Sequence, residues 1–430
     1  MLTRAVPTEH PTSVEAYMKR GGMQAIGRVV KMSDDEIIQT LLDANLMGRG
    51  GAAYPVGRKW KQLHDIDGEE KYIVCNCDEG EPGTFKDKVL IQYYQLTVIE
   101  GMLIAGRYFK TNRGIIYIRG EYRDIQPVFQ EAIDNAKAAG YLGRSIMGID
   151  GFDFEISIVS GAGAYVCGEN SALLNSTEGK AGRPRIKPPH LAEVGLYGKP
   201  TLVNNVESIA RIKELFHMGL EAFHNDGLPE DGGIRLMCLS GHAKNRGVYH
   251  VGRGITIRQL LCDENYGGGT STGRDIKFIH MGGQSGTLGF PEQFDTPIDY
   301  HHLRDVELAT GSGAVVVLDE SVCIVDYCKR VLEFFVEESC GKCTPCRIGT
   351  TRLLELLDDF TEGRAKEGDI EELEYLGEKI RKLSACGLGQ AADKALASAL
   401  KHRRAEFEAH IRGECPAGAC GFSHKGGESR

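Results

Sequence analysis

The sequence lacks any apolar run that approaches the roughly 20 residues needed to cross a bilayer. Its first segment, MLTRAVPTEHPTSVEAYMKR, has neither the apolar core nor the small-residue cleavage site of a signal peptide. An excess of positive charge is also missing, because the formal net charge is −9, and this argues against a nucleic-acid partner. We therefore expect a cytoplasmic protein without membrane insertion, either free or at the cytoplasmic face of a membrane-associated complex.

Internal repeats and low-complexity segments are absent, which leaves ordinary globular domains. A length of 430 residues predicts two to four of them, and 41% hydrophobic with 26% charged residues is typical of such domains. The 13 cysteines would indicate disulfides in a short secreted chain, but a long chain without a secretion signal favours reduced thiols.

Four of these cysteines have the spacing of an iron–sulfur site: Cys340, Cys343 and Cys346 lie in ESCGKCTPCRIGT, and Cys386 follows in ACGLG. Thiolates are soft ligands, and four of them are the ligand set of a [4Fe–4S] cluster, a one-electron carrier. Zinc also accepts four cysteines, but its structural sites usually combine two close pairs rather than a triplet and one distant residue. A [4Fe–4S] cluster is the favoured interpretation, with zinc and disulfides as alternatives.

Strand and helix patterns alternate in the first half of the chain, which predicts a parallel α/β sheet up to about residue 225. The predicted elements are strands 72–75, 114–119 and 152–160 and helices 89–105 and 126–139. Helices dominate from residue 321. The predicted division is a helical segment at 1–45, an α/β domain at 46–225, a mixed β/α domain at 232–320, a helical bundle at 321–412 and a flexible tail at 413–430.

A glycine-rich loop, GRGGAAYPVGRKW, precedes the first predicted strand and also carries two cations, Arg49 and Lys59. Glycines allow backbone N–H groups to turn toward a phosphate, and a lysine adds countercharge. The spacing matches neither a P-loop nor a dinucleotide fingerprint. A phosphate-binding loop and an ordinary surface loop are both compatible with this segment.

Polar residues follow two of the predicted strands, where α/β sheets bind ligands. The segment NCDEGE comes after 72–75 and suits either a solvated turn or hydrogen bonds to a flavin or nicotinamide. The loop SGAGAYVCGEN follows 152–160. Asn204 and Asn205 precede a predicted helix, so that they either cap this helix or contact a ligand.

These segments together resemble one family, the NADH-binding flavin subunit of respiratory complex I and its relatives in soluble NAD-linked hydrogenases, formate dehydrogenases and electron-bifurcating complexes. The similarity extends over roughly residues 14 to 412. It lies in GRGGAAYPVGRKW, YIVCNCDEGEPGTFKDK, GAYVCGENSALLNSTEG, RPRIKPP, GKPTLVNNVES and ESCGKCTPCRIGT with ACGLG. The resemblance implies an α/β and α+β multidomain fold: a Rossmann-like FMN domain, a ubiquitin-like (β-grasp) domain and a C-terminal helical bundle with the [4Fe–4S] cluster.

The resemblance also implies the site residues. FMN would be bound by Gly48, Arg49, Gly50, Gly51, Lys59, Asn76, Asp78, Glu79, Tyr165, Gly168, Glu169, Asn204 and Asn205. The nucleotide would contact Tyr54, Glu81, Asn170, Lys187 and His190, with Glu81 positioning the nicotinamide. The cluster ligands would be Cys340, Cys343, Cys346 and Cys386.

The nucleotide pocket departs from the family pattern. Asn170 replaces a glutamate beside the adenosine ribose 2′-oxygen, and Gln62 and His190 replace two aromatic residues that stack on adenine. A carboxylate repels a 2′-phosphate and an asparagine does not, so one hypothesis is that the chain accepts NADPH, or both nucleotides, more readily than a strict complex I subunit would. The alternative, which membership of the family favours, is a repacked pocket that still takes NADH.

The tail CPAGAC resembles the start of the ferredoxin extension of hydrogenase-type relatives, although no extension motif follows. Cys415, Cys420 and His424 have a spacing that would hold a metal with one more ligand from elsewhere, and a disordered remnant is the alternative. Four other cysteines lie in apolar contexts and are predicted to be core residues: Cys238, Cys262, Cys323 and Cys328.

The function implied by the resemblance is that of an NAD(P)H:acceptor oxidoreductase component. It would transfer hydride between NAD(P)H and FMN and pass single electrons to the [4Fe–4S] cluster. The expected partners are a thioredoxin-like [2Fe–2S] subunit and a further Fe–S acceptor subunit of hydrogenase, formate dehydrogenase or complex I type. The alternative is a relay or docking subunit that keeps FMN and the cluster but has lost productive nucleotide binding.

Overall fold

The computed structural model describes residue 4 and residues 9–66, 70–227 and 231–424. Residues 1–3 and 5–8 of the predicted N-terminal segment and residues 425–430 of the predicted tail lie outside this set. The strands are β1 (Tyr72–Cys77), β2 (Arg113–Ile118), β3 (Glu155–Ser160), β4 (Thr201–Asn205), β5 (Arg235–Gly241), β6 (Gly247–Val251), β7 (Ile276–Met281), β8 (Thr287–Gly289) and β9 (Ala314–Asp319).

Helices connect and cover these strands. They are α1 (Val14–Lys19), α2 (Gln24–Val29), α3 (Asp34–Asp43), α4 (Val56–His64), α5 (Lys86–Tyr93), α6 (Gln95–Phe109), α7 (Gln126–Ala138), α8 (Asn170–Thr177), α9 (Val206–Met218), α10 (Leu220–Asp226), α11 (Ile257–Cys262), α12 (Tyr300–Asp305), α13 (Ile324–Glu337), α14 (Thr344–Thr361), α15 (Asp369–Leu383), α16 (Gly387–Ala391) and α17 (Lys394–Ile411).

The chain divides into two compact units. Unit 1 comprises the described residues of Met1–Gly80, Thr84–Met237 and Val248–Gly254, and unit 2 those of Glu81–Gly83, Cys238–Gly247 and Ile255–Arg430. Residues 235–237 of β5 and 248–251 of β6 belong to unit 1. The predicted division into five segments is finer than this, and it stays a prediction.

Unit 1 contains a four-stranded parallel sheet with the order β3-β2-β1-β4. This confirms the parallel α/β sheet predicted for the first half of the chain. All six residues of β1 are buried, as expected for a central strand covered on both faces. The polar strand β4, with the sequence TLVNN, was not predicted, because it is short and lacks an apolar run.

The helix predicted at 89–105 is two helices, α5 and α6, bent by 92°. Tyr94 between them leaves helical geometry, with φ −133° and ψ 32°. Neither glycine nor proline marks the break. Further along, α6 approaches α9 so closely that a Cβ on Gly101 would lie 2.3 Å from the Ile209 carbonyl oxygen. Together the two helices reach the length and apolar composition of a membrane span, but no single helix in the described part of the chain does.

A buried carboxylate on α6 holds the N-terminal helices. Glu100 accepts hydrogen bonds from the Tyr17 hydroxyl at 2.6 Å and from the backbone N–H groups of Met23 at 3.0 Å and Ile26 at 3.1 Å. A buried charge of this kind is stabilised when its oxygens are all used by donors. Helices α1 and α2 are therefore part of the core of unit 1.

The second sheet has the order β6-β5-β9-β7-β8, with β5 parallel to β9 and β7 antiparallel to both β9 and β8. Beyond it, the chain is helical from α13 to α17, which confirms the predicted helical C-terminal region. Cys238, Cys323 and Cys328 are buried as predicted, but Cys262 is exposed and its prediction was wrong. The prediction rested on the apolar neighbours of Cys262 in the sequence. Cys262 is the last residue of the short helix α11, where a side chain can face solvent.

Candidate functional site

The carboxyl ends of β1 and β4 form the topological switch point of the first sheet. The chain places β2 and β3 on one side of β1 and then returns to place β4 on the other side. Connections that leave in opposite directions open a crevice at this end of a parallel sheet, where ligands bind. Asn76 pairs with Asn205 across the two strands, and Cys75 pairs with Asn204. Three predicted site residues therefore lie side by side at this crevice.

Both asparagines at the end of β4 have structural partners. The Asn204 side-chain oxygen accepts a hydrogen bond from the indole N–H of the buried Trp60 at 3.2 Å. Asn205 is the N-cap of α9, and its side-chain oxygen accepts from the Glu207 backbone N–H at 3.0 Å. The helix-cap interpretation is confirmed for Asn205, and contact of either residue with a ligand stays a prediction.

The glycine-rich loop lies against this strand end. A Cβ on Gly50 would come within 3.1 Å of the Asn205 Cβ, so that a larger residue would push the loop away from β4. Gly51 has φ +108°, a conformation that L-residues with side chains rarely adopt. The loop is therefore shaped for close approach to the switch point, which favours the ligand-binding interpretation over an ordinary surface loop.

The two cations of this loop have different surroundings, and Arg49 is used by the fold. Its guanidinium is buried and donates to both carboxylate oxygens of Asp231, at 2.6 and 2.7 Å, and to the Gly232 carbonyl at 3.1 Å. Burial lowers the pKa of Arg49, and the Asp231 carboxylate opposes this effect. The predicted role of Arg49 in cofactor binding therefore depends on its backbone rather than its side chain.

Lys59, on α4, is the cation that faces the switch point. Its Nζ donates to the Val203 carbonyl of β4 at 2.9 Å. Burial, and secondly the charge of the nearby Lys187, lower the pKa of Lys59 to about 8. Among the residues that the structure describes, no carboxylate forms an ion pair with Lys59. An anion bound here would supply the missing countercharge, so this position fits the phosphate of FMN.

The acidic segment after β1 is not a solvated turn. Glu79 is buried, and its carboxylate accepts hydrogen bonds from the backbone N–H groups of Asp87 at 2.8 Å and Lys88 at 2.9 Å and from the Tyr122 hydroxyl at 3.1 Å. Burial, and secondly the charge of Asp87, raise the pKa of Glu79 to about 8. Asp78 donates its backbone N–H to the Asn76 side-chain oxygen at 3.0 Å. These contacts fix the segment that the resemblance places against the flavin ring.

The loop after β3 meets this segment. Residues Tyr165–Gly168 form a 3₁₀ turn, and the Asn76 amide donates to the Gly168 carbonyl at 3.0 Å. Gly80 approaches Tyr165 so closely that a Cβ there would lie 3.1 Å from the Tyr165 Cα. Asn170, the first residue of α8, accepts from the Asn76 amide at 3.4 Å. The ends of β1 and β3 thus bring predicted flavin and nucleotide positions together.

Glu169 is the N-cap of α8. One carboxylate oxygen accepts from the backbone N–H groups of Ser171 at 2.9 Å and Ala172 at 3.0 Å, and the other lies 3.1 Å from the Lys187 Nζ. The Lys187 ammonium is also close enough to Lys59 to lower its pKa. Lys187 therefore has both a carboxylate and a second cation in its surroundings.

Two of the three predicted adenine positions contact each other. The Gln62 amide donates to the Tyr54 hydroxyl at 2.7 Å, and the Tyr54 side chain is exposed. His190, also exposed, donates its backbone N–H to the Glu193 carboxylate at 2.9 Å. The substitution at Gln62 therefore replaces a stacking ring with a residue that holds the remaining ring in place.

Glu81 lies in unit 2 rather than unit 1. Its carboxylate accepts hydrogen bonds from the Ser285 backbone N–H at 2.7 Å and from the Ser285 hydroxyl. A Cβ on Gly283 would collide with this carboxylate, which explains the glycine there. These hydrogen bonds fix the position of the Glu81 carboxylate. The role of Glu81 toward a nicotinamide stays a prediction.

A buried ionic network behind the switch point was not predicted. Lys86 lies 2.5 Å from Asp87 and 3.1 Å from Glu207, and Asn205 donates to Asp87 at 2.6 Å. Burial opposes the charge on Glu207, but Lys86 and then Arg211 outweigh it and lower the pKa of Glu207 to about 2. The sequence contained a signal for this network: the charged residues of FKDK and NVES lie close to the strand ends in the sequence. The network fixes the position of Asn205 and hence of the β4 end.

The four predicted cluster cysteines come together in unit 2. Cys340 follows α13, Cys343 is the N-cap of α14, Cys346 lies in its first turn and Cys386 is the N-cap of α16. Burial raises the pKa of Cys346, and the thiols of Cys343, Cys386 and Cys340 raise it further, although a hydrogen bond with Ser339 opposes them. The charge interactions that raise the pKa of Cys346 place the other three thiols in its neighbourhood.

The surroundings of these thiols fit an iron–sulfur cluster. The Ser339 hydroxyl lies 3.3 Å from the Cys346 Sγ, and backbone N–H groups of Gly389 and Leu388 donate to Cys386. Hydrogen bonds to cluster sulfurs are among the features that set the potential of such centres. Four soft donors from one loop and two helix starts are a suitable ligand set for [4Fe–4S].

The tail cysteines join a second group. Cys415 and Cys420 lie with Cys323 and His410, and one donor atom of each residue lies within 4.8 Å of all the others. His424, the predicted third ligand, has a side chain outside the described ones. Cys420 is buried, while the flexibility predicted for the tail as a whole stays a prediction.

Comparison with known families agrees with this arrangement. A family model described as the Nuo51 FMN-binding domain matches residues 41–214. A second model, the NADH-ubiquinone oxidoreductase-F iron-sulfur binding region, matches residues 326–410. The first match contains the glycine-rich loop and the switch point, and the second contains all four cluster cysteines.

Known proteins similar to the chain along almost its whole length include NADH-quinone oxidoreductase and hydrogenase subunits. An NADH-quinone oxidoreductase subunit of Rhizobium meliloti (strain 1021) is 40% identical over 97% of this chain and 99% of that protein. The NADP-reducing hydrogenase subunit HndC of Solidesulfovibrio fructosivorans is 39% identical over 95% of this chain and 83% of that protein. A solved structure, the NAD⁺-reducing [NiFe]-hydrogenase in the H₂-reduced state, matches with a TM-score of 0.83 and 32% identity over 96% of this chain and 68% of that one.

The two matched regions occur in the same order along the chain as the switch point and the cysteine group. The sites at the β1–β4 switch point and at the cysteine group correspond to the FMN-binding and iron–sulfur parts of the matched models. The chain belongs to the family of NADH-quinone oxidoreductase components that bind FMN and a [4Fe–4S] cluster.

Proposed function

We propose that the chain is the flavin-bearing input component of a multi-subunit redox complex, and that it transfers hydride between NAD(P)H and FMN. FMN, when bound, accepts two electrons together and returns them singly, and the cluster is their exit. The observation that carries the proposal is Lys59, a half-buried cation at the switch point whose pKa is lowered by burial without an anion to offset it. A phosphate is the group that would complete this position.

The chain's own residues then have separate tasks. Lys59 and the glycine-rich loop bind the phosphate end of FMN. Asn76, Asp78 and Glu79 hydrogen-bond the ring, with Tyr165–Gly168 alongside. Glu81 positions the nicotinamide. Hydride transfer depends on alignment of the two rings, so that rigid hydrogen-bonded segments are more useful here than a general base.

The finer structural and cellular assignments follow from the same proposal. Residues 46–225 are a Rossmann-like FMN domain, 232–320 a ubiquitin-like domain and 321–412 the bundle that holds the cluster. A thioredoxin-like [2Fe–2S] subunit and a further Fe–S acceptor are separate polypeptides that receive the electrons. The complex works in the cytoplasm or at the cytoplasmic face of a membrane-associated assembly. An NADH-quinone oxidoreductase component and two hydrogenase proteins among the similar chains support membership of such assemblies.

An anaerobic titration of the FMN-loaded protein tests the function. We expect NADH or NADPH to bleach the flavin band within the mixing time, and dithionite to add only the reduction of the cluster. If neither nucleotide bleaches the flavin while dithionite reduces both centres, the hydride-transfer function is wrong and the relay alternative is correct. The expectation for NADPH is supported by the similarity to an NADP-reducing hydrogenase subunit.

Asn170→Glu tests the nucleotide choice separately. The added carboxylate would face the 2′-phosphate of NADPH across a short distance, while a 2′-hydroxyl would donate a hydrogen bond to it. We expect the ratio of kcat/KM for NADPH to that for NADH to fall about tenfold, since one close charge pair near a surface is worth on the order of 1–4 kcal/mol. Asn170→Gln is the neutral control and leaves the ratio unchanged. An unchanged ratio in Asn170→Glu would show that this position does not select the nucleotide.

A further inference from the structure

Two serine hydroxyls lie close to Cys346, which is the buried member of the four cluster cysteines. The Ser339 Oγ lies 3.3 Å from the Cys346 Sγ. The Ser384 Oγ and the Cys346 Cβ both lie within 3.0 Å of one point, the position that a Cβ on Gly389 would take. Neither serine belongs to the predicted ligand set, so their place beside the cluster cysteines needs a separate explanation.

The Ser339 hydroxyl is a donor toward the sulfur. Its oxygen accepts a hydrogen bond from the Gly341 backbone N–H at 3.3 Å, and Gly341 has φ +70°, a left-handed conformation that favours glycine. Arg347 holds this loop by donating to the Gly341 carbonyl at 2.7 Å. A serine hydroxyl has one proton to donate, and a thiolate that binds iron has none. In the hydrogen bond between Ser339 and a metal-bound Cys346, the serine is therefore the donor.

Ser384 is 5% exposed, and its hydroxyl has no hydrogen-bond partner among the residues that the structure describes. Its backbone groups are both used: the N–H donates to the Ile380 carbonyl at 3.0 Å, and the carbonyl accepts from the Gln390 amide at 3.0 Å. Ser384 is the C-cap of α15 and has an extended backbone, with ψ 145°. Because buried hydroxyls normally have a partner, this one indicates that an acceptor belongs next to it.

Glycine at position 389 makes room for this hydroxyl. A Cβ there would lie 2.4 Å from the Ser384 Oγ and 3.0 Å from the Cys346 Cβ, so that a side chain would displace one of the two. The Gly389 backbone N–H donates to Cys386. The segment from Ser384 to Gly389 therefore brings a hydroxyl toward one cluster cysteine and an N–H group toward another.

We propose that Ser339 and Ser384 donate hydrogen bonds to sulfur atoms on the Cys346 side of the [4Fe–4S] cluster and thereby raise its reduction potential. Reduction adds one electron to the cluster, and no bond to a protein atom forms or breaks. Donors stabilise the more negative, reduced form more than the oxidised form. Both residues act through the sulfur atoms, so that they are positioning residues rather than ligands.

A redox titration of the cluster in the holoprotein, followed by EPR with dithionite and mediators, tests the proposal on Ser339→Ala and Ser384→Ala. At a fixed applied potential, we expect the ratio of reduced to oxidised cluster to fall about three- to tenfold in each variant. A tenfold fall corresponds to about 59 mV for one electron. Iron and sulfide should stay at about four per chain. The titration uses no nucleotide, so that its result is independent of the proposed hydride transfer.

Two further variants separate the hydroxyl from other effects of substitution. Ser339→Thr keeps the hydroxyl and should keep the ratio of the unmodified protein. Thr351→Val removes a hydroxyl from the exposed side of α14 that donates to the Arg347 carbonyl at 3.1 Å, and it should also leave the ratio unchanged.

Three results would overturn the proposal. The first is an unchanged ratio in both alanine variants. The second is an equal fall in Ser339→Ala and Ser339→Thr, which would assign the change to altered packing. The third is loss of iron from both alanine variants, which would show that the hydroxyls are needed to assemble the cluster rather than to set its potential.

Discussion

Replacing Cys343 by alanine is expected to remove the [4Fe–4S] cluster, with a loss of about four iron and four sulfide per chain. Cys343 is the N-cap of α14, and its thiol is one of three that raise the pKa of Cys346. A [4Fe–4S] cluster takes four thiolate ligands, so the loss of one would leave an iron without its protein ligand. Iron and sulfide analysis, and the EPR signal after dithionite reduction, measure the loss.

Reduction of the flavin should be unaffected in this variant. Bleaching of the flavin by nucleotide should persist, because the residues proposed to bind FMN all belong to unit 1. Electron delivery to a partner Fe–S subunit should stop. Cys262→Ala is the control, since that cysteine is exposed and distant in sequence from the cluster motif, and it should keep all of its iron. Full iron content in Cys343→Ala would show that Cys343 is not a ligand.

Replacing Lys59 by methionine is expected to weaken FMN binding by about tenfold to a hundredfold. The side chain keeps its length and apolar stem but loses the charge that would pair with the phosphate. A hydrogen bond to a charged group is worth about 1.5–3 kcal/mol, which corresponds to this range in the dissociation constant. Fluorescence titration of the apoprotein with FMN measures the change. Lys61→Met is the matched control, because Lys61 is exposed on the same helix and pairs with Asp65.

The affinity of Lys59 for phosphate should depend on pH. Without ligand the pKa of Lys59 is about 8, lowered by burial, so that the cation is present below this pH and is lost above it. FMN affinity should therefore be constant from about pH 7 to just below 8 and fall as the pH rises through 8. Lys59→Met should lack this fall. The same fall in both proteins would assign it to another group.

The features predicted well from the sequence are those encoded locally. The cluster cysteines have a spacing that allows few other interpretations, and the iron–sulfur assignment is confirmed by the matched family region. Alternation of apolar strands and amphipathic helices was sufficient to predict the parallel sheet. The capping box at Ser33 and Glu36 was also visible in the sequence, because its two hydrogen bonds join residues three apart.

Features that depend on distant partners could not be read in this way. The break at Tyr94 has no local signal, because the sequence around it continues a helical pattern. Arg49 was predicted as a cofactor-binding residue of the glycine-rich loop, and only the fold shows that Asp231 binds its guanidinium. Cys323 was predicted as a core residue, and only the fold shows that His410 and the tail surround it.

The switch point has a consequence for the order in which the protein matures. Lys59 and Val203, which meet there, are 144 residues apart in the chain, and Asn76 and Gly168 are 92 apart. Contacts of such long range form late, because the loop-closure entropy of the intervening chain must be overcome first. An FMN pocket made of them exists only in chains whose unit 1 has folded completely. The amount of FMN that a preparation takes up at saturation should therefore count the molecules whose unit 1 has folded.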